Sequence, residues 1–204
     1  MKMKRIISLI LLMCVFLFGK IVGQTNPVTI NSGVYLTVND YKTNKLVEEA
    51  ECTTEKEKFE RHDIFSRPSF VVINKGKKTT YVKNDIYAYR DCENRVWRFY
   101  DNKEYEILEP KNIFIYRRSK ILLNGLTIEK DPVFYFSNGA EGKVKELTLD
   151  NLKLTFSNNT AFYNILNAEF NSSKETINPD KAVHSYDLSH KMYKVNYLLN
   201  QSEK

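Results

Sequence analysis

The chain has 204 residues, and the roughly 180 that follow its N-terminal segment are enough for one domain with its own hydrophobic core. It contains 31 basic and 25 acidic residues. Four of the basic ones, Lys2, Lys4, Arg5 and Lys20, lie in the first 24 positions, which contain no acidic residue. The rest of the chain is therefore nearly neutral, with 27 basic and 25 acidic residues, so nucleic acid is not a predicted partner.

The first 24 residues resemble an export signal. Lys2, Lys4 and Arg5 precede an uncharged apolar run over residues 6–19, which is shorter than the roughly 20 residues that a membrane-spanning helix needs. Lys20 then interrupts the apolar run. The sequence therefore predicts a signal peptide over residues 1–24, and no transmembrane segment after its removal.

Removal of this signal leaves two cysteines, Cys52 and Cys92. An even pair in an exported, oxidising setting favours a disulfide, with two unrelated cysteines as the alternative. A bridge closing a loop of about 40 residues would stabilise the fold by roughly 4 kcal/mol.

Residues 69–117 alternate short extended runs with turn-forming groups, which predicts an antiparallel meander. The runs at 70–73 and 79–82 flank Asn74-Lys75-Gly76, which is typical of a tight hairpin. Further runs follow at residues 86–89, 96–100, 105–107 and 113–116. In one of these runs, Tyr105 and Ile107 alternate with Glu104, Glu106 and Glu109, a pattern that predicts one solvent-exposed face.

After the meander, Asn124-Gly125 indicates a hairpin over residues 121–128, followed by a strand at 133–136 and a flexible-looking loop at 137–142. After this loop the apolar residues recur with the spacing of an amphipathic helix. Three amphipathic helices are predicted. Thr148 caps the first and Thr160 caps the second, and the third runs from Ser185 to Leu199. A shorter helical turn capped by Asn39 or Asp40 precedes the meander.

The predicted fold class is therefore α+β. A single domain over residues 25–204 contains a β-rich region, 33–136, and a helical region, 147–202. The β-rich region is an antiparallel β-meander or a small curled barrel, and two or three C-terminal helices follow it.

Aromatic residues are concentrated in the meander, where half of them should fill the core. An outward-facing group of Tyr87, Tyr89 and Tyr100 is the predicted ligand-binding site, because aromatic platforms on β-surfaces hold sugars or peptides. The competing interpretation places these rings in the core.

Catalytic and metal-binding patterns are sparse. His184, Asp187 and His190 are close in sequence, but on a helix the two histidines project about 240° apart, which favours exposed or capping roles. The group His62, Asp63 and Ser66 contains the residue types of a hydrolase triad without its spatial arrangement. No catalytic residue, metal ligand or cofactor is predicted.

Four segments of the chain are informative together: Gly33-Val34-Tyr35-Leu36-Thr37, the run from Asp85 to Asp91, Trp97-Arg98-Phe99-Tyr100, and the run from His190 to Asn196. In these segments the chain resembles small exported proteins of Bacteroidetes-type bacteria, a group without assigned function. The resemblance implies a bacterial envelope or periplasmic setting and transfers no site residue. The predicted location of the exported chain is the periplasm, the outer membrane as an associated protein, or the extracellular space.

The predicted function is a non-catalytic binding or structural component of the bacterial envelope, with an envelope protein or a glycan as partner. One alternative is a hydrolase of envelope polymers or glycans that uses a carboxylate pair. A second alternative is a barrel that encloses a small apolar ligand.

The signal-peptide prediction can be tested by expressing the full chain in a bacterium and analysing the exported form. Cleavage after Gly23 or Gln24 should give a mature N-terminus at Gln24 or Thr25, read by N-terminal sequencing and intact mass. The substitution Leu12→Lys should block export, because it places a charge in the apolar run. Export of the uncleaved chain would contradict the prediction.

Overall fold

The computed structural model describes residues 31–52, 58–60, 67–124, 127–171 and 179–203. The described chain forms an α+β fold with an antiparallel sheet of eight strands, two smaller sheets and several helices toward its C-terminal end. The predicted fold class is confirmed. The large sheet has two separate edge strands and is not closed, so the meander describes it and the curled barrel does not.

The strands, in chain order, are β1 (Asn31–Tyr35), β2 (Val47–Glu51), β3 (Lys58–Glu60), β4 (Ser69–Asn74), β5 (Lys77–Val82), β6 (Ala88–Arg90), β7 (Val96–Tyr100), β8 (Lys103–Pro110), β9 (Ile113–Asn124), β10 (Thr127–Asn138), β11 (Lys145–Glu146), β12 (Tyr186–Asp187) and β13 (Met192–Tyr193). The large sheet has the order β11-β10-β9-β8-β7-β6-β1-β2. It is thus a meander from β6 to β11, to which the β1–β2 hairpin is added beside β6.

Both predicted hairpins are present. Strands β4 and β5 are joined by Lys75 and Gly76, whose φ angles of 47° and 79° suit a tight turn. Strands β9 and β10 pair along their whole length up to Asn124 and Thr127. Strands β3, β4 and β5 form a separate three-stranded sheet.

The helices are α1 (Val38–Lys42), α2 (Leu149–Thr155), α3 (Thr160–Asn171), α4 (Pro179–Val183) and α5 (Lys194–Ser202). The prediction of α2, with Thr148 as its N-cap, is confirmed. The prediction of α3 is confirmed as a helix but wrong in its cap, because the side-chain oxygen of Asn159 rather than Thr160 accepts the Phe162 N–H. In α1, Thr37 rather than Asn39 or Asp40 is the N-cap: its hydroxyl accepts from the Asp40 N–H. No helix of the described residues is long and apolar enough to cross a membrane.

The helix predicted from Ser185 to Leu199 is wrong in its first half. Residues 186–193 form the β12–β13 hairpin instead, and α5 begins at Lys194. The Asp187 carboxylate accepts the N–H groups of Ser189 and His190 at 2.9 and 3.0 Å. These bonds favour a turn over a helix, and Leu188 is 82% exposed at its tip.

The two faces of the large sheet are covered by different elements. On one face, Tyr35, Tyr105 and Tyr116 belong to an apolar cluster that α1 and the loop before β11 cover. The opposite face packs at one side against the three-stranded sheet, through Phe70 and Val72. Helices α2 to α5 cover the other side of that face.

Three glutamates of β8, Glu104, Glu106 and Glu109, are buried, so the prediction of a solvent-exposed face is wrong. We call them the carboxylate row. The register pairs Trp97 with Glu106 and Glu106 with Arg117, which places the row on the face between its two covers. An irregularity between Ile107 and Glu109 turns Glu109 to this face as well.

Each carboxylate of the row has a partner from another element, as buried charges require. The Lys83 ammonium lies 2.9 Å from Glu104, and neither side chain is exposed. Arg117 donates to Glu106 at 2.7 Å. Glu109 accepts from the Asn196 amide of α5 at 2.6 Å.

Asn196 also fixes α5 to the first residue of β9. Its side-chain carbonyl accepts the Ile113 N–H at 2.9 Å, and its amide donates to the Ile113 carbonyl at 2.8 Å. This side chain therefore pairs with strand backbone as a neighbouring strand would.

Cys52 and Cys92 lie at disulfide distance, with Cα atoms 5.4 Å apart, which confirms the predicted pairing. They connect the end of β2 to the turn after β6. Asp91 organises that turn: its carboxylate accepts the N–H groups of Glu93 and Arg95 and the indole N–H of Trp97.

The Lys83–Glu104 pair generates a stability prediction. Lys83→Met removes the ammonium beside a buried carboxylate, so we expect a loss of about 3–5 kcal/mol of unfolding free energy. The double variant Lys83→Met/Glu104→Leu should recover part of this loss, because neither charge of the pair then stays buried, while the buried Tyr89 hydroxyl loses its Glu104 acceptor. Urea unfolding measures both.

Lys103→Met is the matched control, since Lys103 pairs with Asp101 at the surface and its loss should cost under about 1 kcal/mol. Equal losses in Lys83→Met and Lys103→Met would contradict the assigned role of the buried pair.

Candidate functional site

A groove of about 910 Å³ opens at one end of the large sheet. Its floor consists of residues 110–112, from the end of β8 through the turn to β9, and of residues 138–140, the end of β10 and the two residues after it. The two segments are joined by the Gly139 N–H, which donates to the Asn112 carbonyl at 2.8 Å. We call this feature the end groove.

The walls of the end groove come from opposite faces of the sheet. Tyr41 and Lys42 of α1 form one wall. Asn159, between α2 and α3, and Glu203, after α5, belong to the other. The groove therefore exists only where both covers of the sheet meet at its end.

The loop 139–144, which begins in the groove floor, is held by hydrogen bonds from side chains in or beside the sheet to its carbonyl groups. Tyr87 donates its hydroxyl to the Ala140 carbonyl at 3.0 Å, Ser137 donates to the Gly139 carbonyl at 2.7 Å, and Arg98 donates to the Gly142 carbonyl at 2.9 Å. The prediction of a flexible loop at 137–142 is therefore wrong, because composition does not reveal these bonds.

Gly142 is required by the close packing of this loop. A Cβ atom at position 142 would lie 2.4 Å from the carbonyl oxygen of Asn138. Gly139 has a φ of +69°, the left-handed region that glycine favours. Both glycines thus shape the floor of the groove.

Arg98 is the centre of the support beneath the loop. It is 4% exposed, and its guanidinium carbon lies 5.3, 5.6 and 5.7 Å from the ring centroids of Tyr87, Tyr100 and Tyr116. Within the described part of the chain, no carboxylate is within 4 Å of it. The cation is compensated by three ring faces and by neutral oxygen acceptors.

The proton positions in this support follow from its contacts. Arg98 donates to the Tyr116 hydroxyl at 2.6 Å and to the Ser137 hydroxyl at 3.1 Å. Because Ser137 gives its own proton to Gly139, Tyr116 is the donor in the 2.8 Å bond between the Tyr116 and Ser137 hydroxyls. Burial raises the pKa of Tyr116, against an opposing effect of Arg98, so this phenol stays protonated at neutral pH.

The polar groups that line the end groove are mostly unused by the protein. The amides of Asn112 and Asn138 and the hydroxyl of Tyr41 make no hydrogen bond to any residue that the structure describes. Asn159 accepts the Phe162 N–H at 3.0 Å through its oxygen, which leaves its amide nitrogen as a donor. Burial raises the pKa of Tyr41 to about 12, so its hydroxyl is neutral.

The charges around the groove are largely balanced. Lys42 lies 3.4 Å from Glu141, and Lys111 lies 3.4 Å from Glu109. Glu203 is the single carboxylate that lines the groove among the described residues. The groove is thus lined by polar groups that carry little net charge.

The predicted ligand-binding tyrosines do not form an outward-facing group. Tyr89 has no exposed surface and packs against Phe70 and Phe99, and Tyr87 is 8% exposed. Tyr100 is half-buried, beside Arg98. The prediction of a surface platform is wrong for Tyr87 and Tyr89, because strand alternation does not reveal that both sheet faces are covered.

The other candidate residues also receive structural roles or lie elsewhere. A ring nitrogen of His184 lies 2.8 Å from the Leu147 carbonyl, and the exposed His190 pairs with Asp187 at 2.8 Å. That contact lowers the pKa of Asp187. The group His62, Asp63 and Ser66 lies outside the described residues.

Across the described ranges, no three or more His, Cys, Asp and Glu side chains form a group that could hold a metal ion. Sequence reasoning missed the end groove, because its residues come from five separated segments. The only local signals were the turn-forming residues Pro110-Lys111-Asn112 and Asn138-Gly139.

Comparison of the chain with protein-family models, with curated protein sequences and with solved structures finds no match. The function of the groove is therefore argued from its own geometry.

Arg98 generates a prediction about the floor of the end groove. Arg98→Lys keeps the charge but cannot reproduce the forked contacts to Tyr116, Ser137 and Gly142. We expect a loss of about 3 kcal/mol of unfolding free energy, since buried acceptors lose their donors. The Gly139 amide should also exchange its hydrogen faster.

Arg67→Lys, at an exposed position, is the matched control and should change neither the unfolding free energy nor the exchange. Unchanged exchange at Gly139 in Arg98→Lys would show that Arg98 does not hold the loop. Urea unfolding and amide exchange followed by NMR provide the two measurements.

Proposed function

We propose that the protein is an exported, non-catalytic binding component of a bacterial envelope and that the end groove holds its ligand. The observation that carries the proposal is the set of unused amide and hydroxyl groups around an open groove. The export signal predicted over residues 1–24 and the Cys52–Cys92 pair support an oxidising location outside the cytoplasm.

The size and rigidity of the groove favour binding. Its volume of about 910 Å³ falls within the roughly 300–1,000 Å³ of typical ligand sites. Its floor is held by Arg98, Tyr87 and Ser137, so little conformational entropy would be lost when a ligand binds.

A hydrolase has less support at this site. A two-carboxylate mechanism needs two acidic side chains that face one bound substrate. Glu203 is alone in the groove among the described residues, whereas Glu104 and Glu106 are buried and paired with Lys83 and Arg117. A ligand-enclosing barrel has less support as well, since the sheet is open.

The proposal is tested by obstructing the groove. Asn138→Trp places a large ring on the exposed floor without removing a hydrogen bond within the described chain. Purified protein is mixed with the envelope fraction of a Bacteroidetes-type bacterium and sedimented. We expect the wild type to sediment with the envelope and Asn138→Trp to do so at least tenfold less.

Asn158→Trp is the matched control, because Asn158 is exposed but does not line the groove. It should sediment like the wild type. Failure of the wild type to sediment, or equal sedimentation of all three proteins, would refute the proposal.

A further inference from the structure

We infer that the ligand of the end groove is an uncharged oligosaccharide, recognised through its hydroxyl groups by Tyr41, Asn112, Asn138 and Asn159. This inference rests on the proposed function of the groove and specifies the chemical class of its ligand. It follows from the hydrogen-bond donors and acceptors that line the groove, from the pairing of its lysines with glutamates, and from the burial of its large apolar side chains.

The amides supply the pattern that a sugar needs. A sugar hydroxyl both donates and accepts, and an asparagine side chain offers two donors and one acceptor within one plane. Asn112 and Asn138 are neighbours in the floor, because Asn138 pairs with Ile113, the residue after Asn112. Asn159 adds a donor from the opposite side, so amides face the ligand from two directions.

Tyr41 supplies the aromatic surface and a further hydroxyl. Its ring is half-buried and packs against Tyr35, Tyr87 and Phe114 at centroid distances of 5.5, 5.4 and 6.2 Å. These contacts hold the ring in place before a ligand arrives. An immobilised aromatic beside free polar groups suits a ligand that has both C–H and O–H surfaces.

The charges disfavour an anionic polymer. The two cations of the lining, Lys42 and Lys111, each have a glutamate at 3.4 Å. Glu203 adds a negative charge to the same lining. A polyanion would therefore meet neutralised lysines and an opposing carboxylate rather than a basic site.

The apolar lining disfavours a peptide. Peptide grooves bind apolar anchor side chains in exposed hydrophobic pockets. The apolar residues of the end groove are already buried: Phe114 is 7%, Phe156 8% and Leu199 4% exposed. None of these three side chains offers an exposed anchor pocket, whereas the amides of Asn112 and Asn138 are accessible.

The test titrates the purified protein with four probes: cellotetraose, chitotetraose, the anionic tetragalacturonate and a neutral polar hexapeptide. Backbone amide NMR locates the binding site and calorimetry measures affinity. We expect one or both neutral tetrasaccharides to shift the signals of Asn112, Gly139 and Asn159. Tetragalacturonate and the peptide should shift none of them.

Two variants examine the named groups. Asn138→Ala and Tyr41→Phe should each weaken the saccharide roughly five- to tenfold, the effect of one lost hydrogen bond. Tyr41→Phe keeps the ring, so it reports on the hydroxyl alone. Asn158→Ala, outside the groove, should change affinity less than twofold.

The outcomes separate the inference from the proposed function. Groove shifts with a neutral saccharide that both variants weaken would support the inference. Preference for tetragalacturonate or the peptide, or saccharide shifts away from the groove, would overturn it. If no saccharide binds while Asn138→Trp still abolishes sedimentation with the envelope, the saccharide class fails and the proposed function stands. If both measurements are negative, both fail.

Discussion

The structure depends on the burial of three carboxylates in one strand. A buried carboxylate is tolerated only when a cation or strong donor compensates for its lost hydration. The partner of Glu104 comes from the turn after β5, that of Glu106 from β9 and that of Glu109 from α5. Compensation of the carboxylate row therefore requires the three-stranded sheet and the C-terminal helix to occupy fixed positions on the same face.

On the opposite face, a buried cation has the corresponding role. Arg98 has aromatic rings and neutral oxygens around it rather than a carboxylate, and it fastens the loop that begins in the groove floor. The end groove lies where the elements positioned by Arg98 meet those positioned by Glu109 and Asn196. Its shape is thus a consequence of two separate polar interactions inside the fold, one on each side of the sheet.

Sequence patterns predicted the secondary-structure elements well, but they predicted poorly which side chains are buried. The hairpins predicted from Asn74-Lys75-Gly76 and from Asn124-Gly125 depend on neighbouring residues only, and the structure pairs the strands of both. Alternation along β8 correctly indicated a strand, but it assigned the polar side to solvent. A period of two shows which residues share a face, and it cannot show that a second layer covers that face. The same limitation placed Tyr89 on the surface.

The sequence by itself determined the α+β class, the order of most elements and the pairing of Cys52 with Cys92. These features follow from local turn chemistry, short-range periodicity and the number of thiols. Only the tertiary structure decided that Glu104 and Arg98 are buried and that Asn112, Asn138 and Asn159 meet around one groove. Burial and convergence depend on contacts between residues far apart in the chain, and no local pattern encodes which distant segment covers a given face.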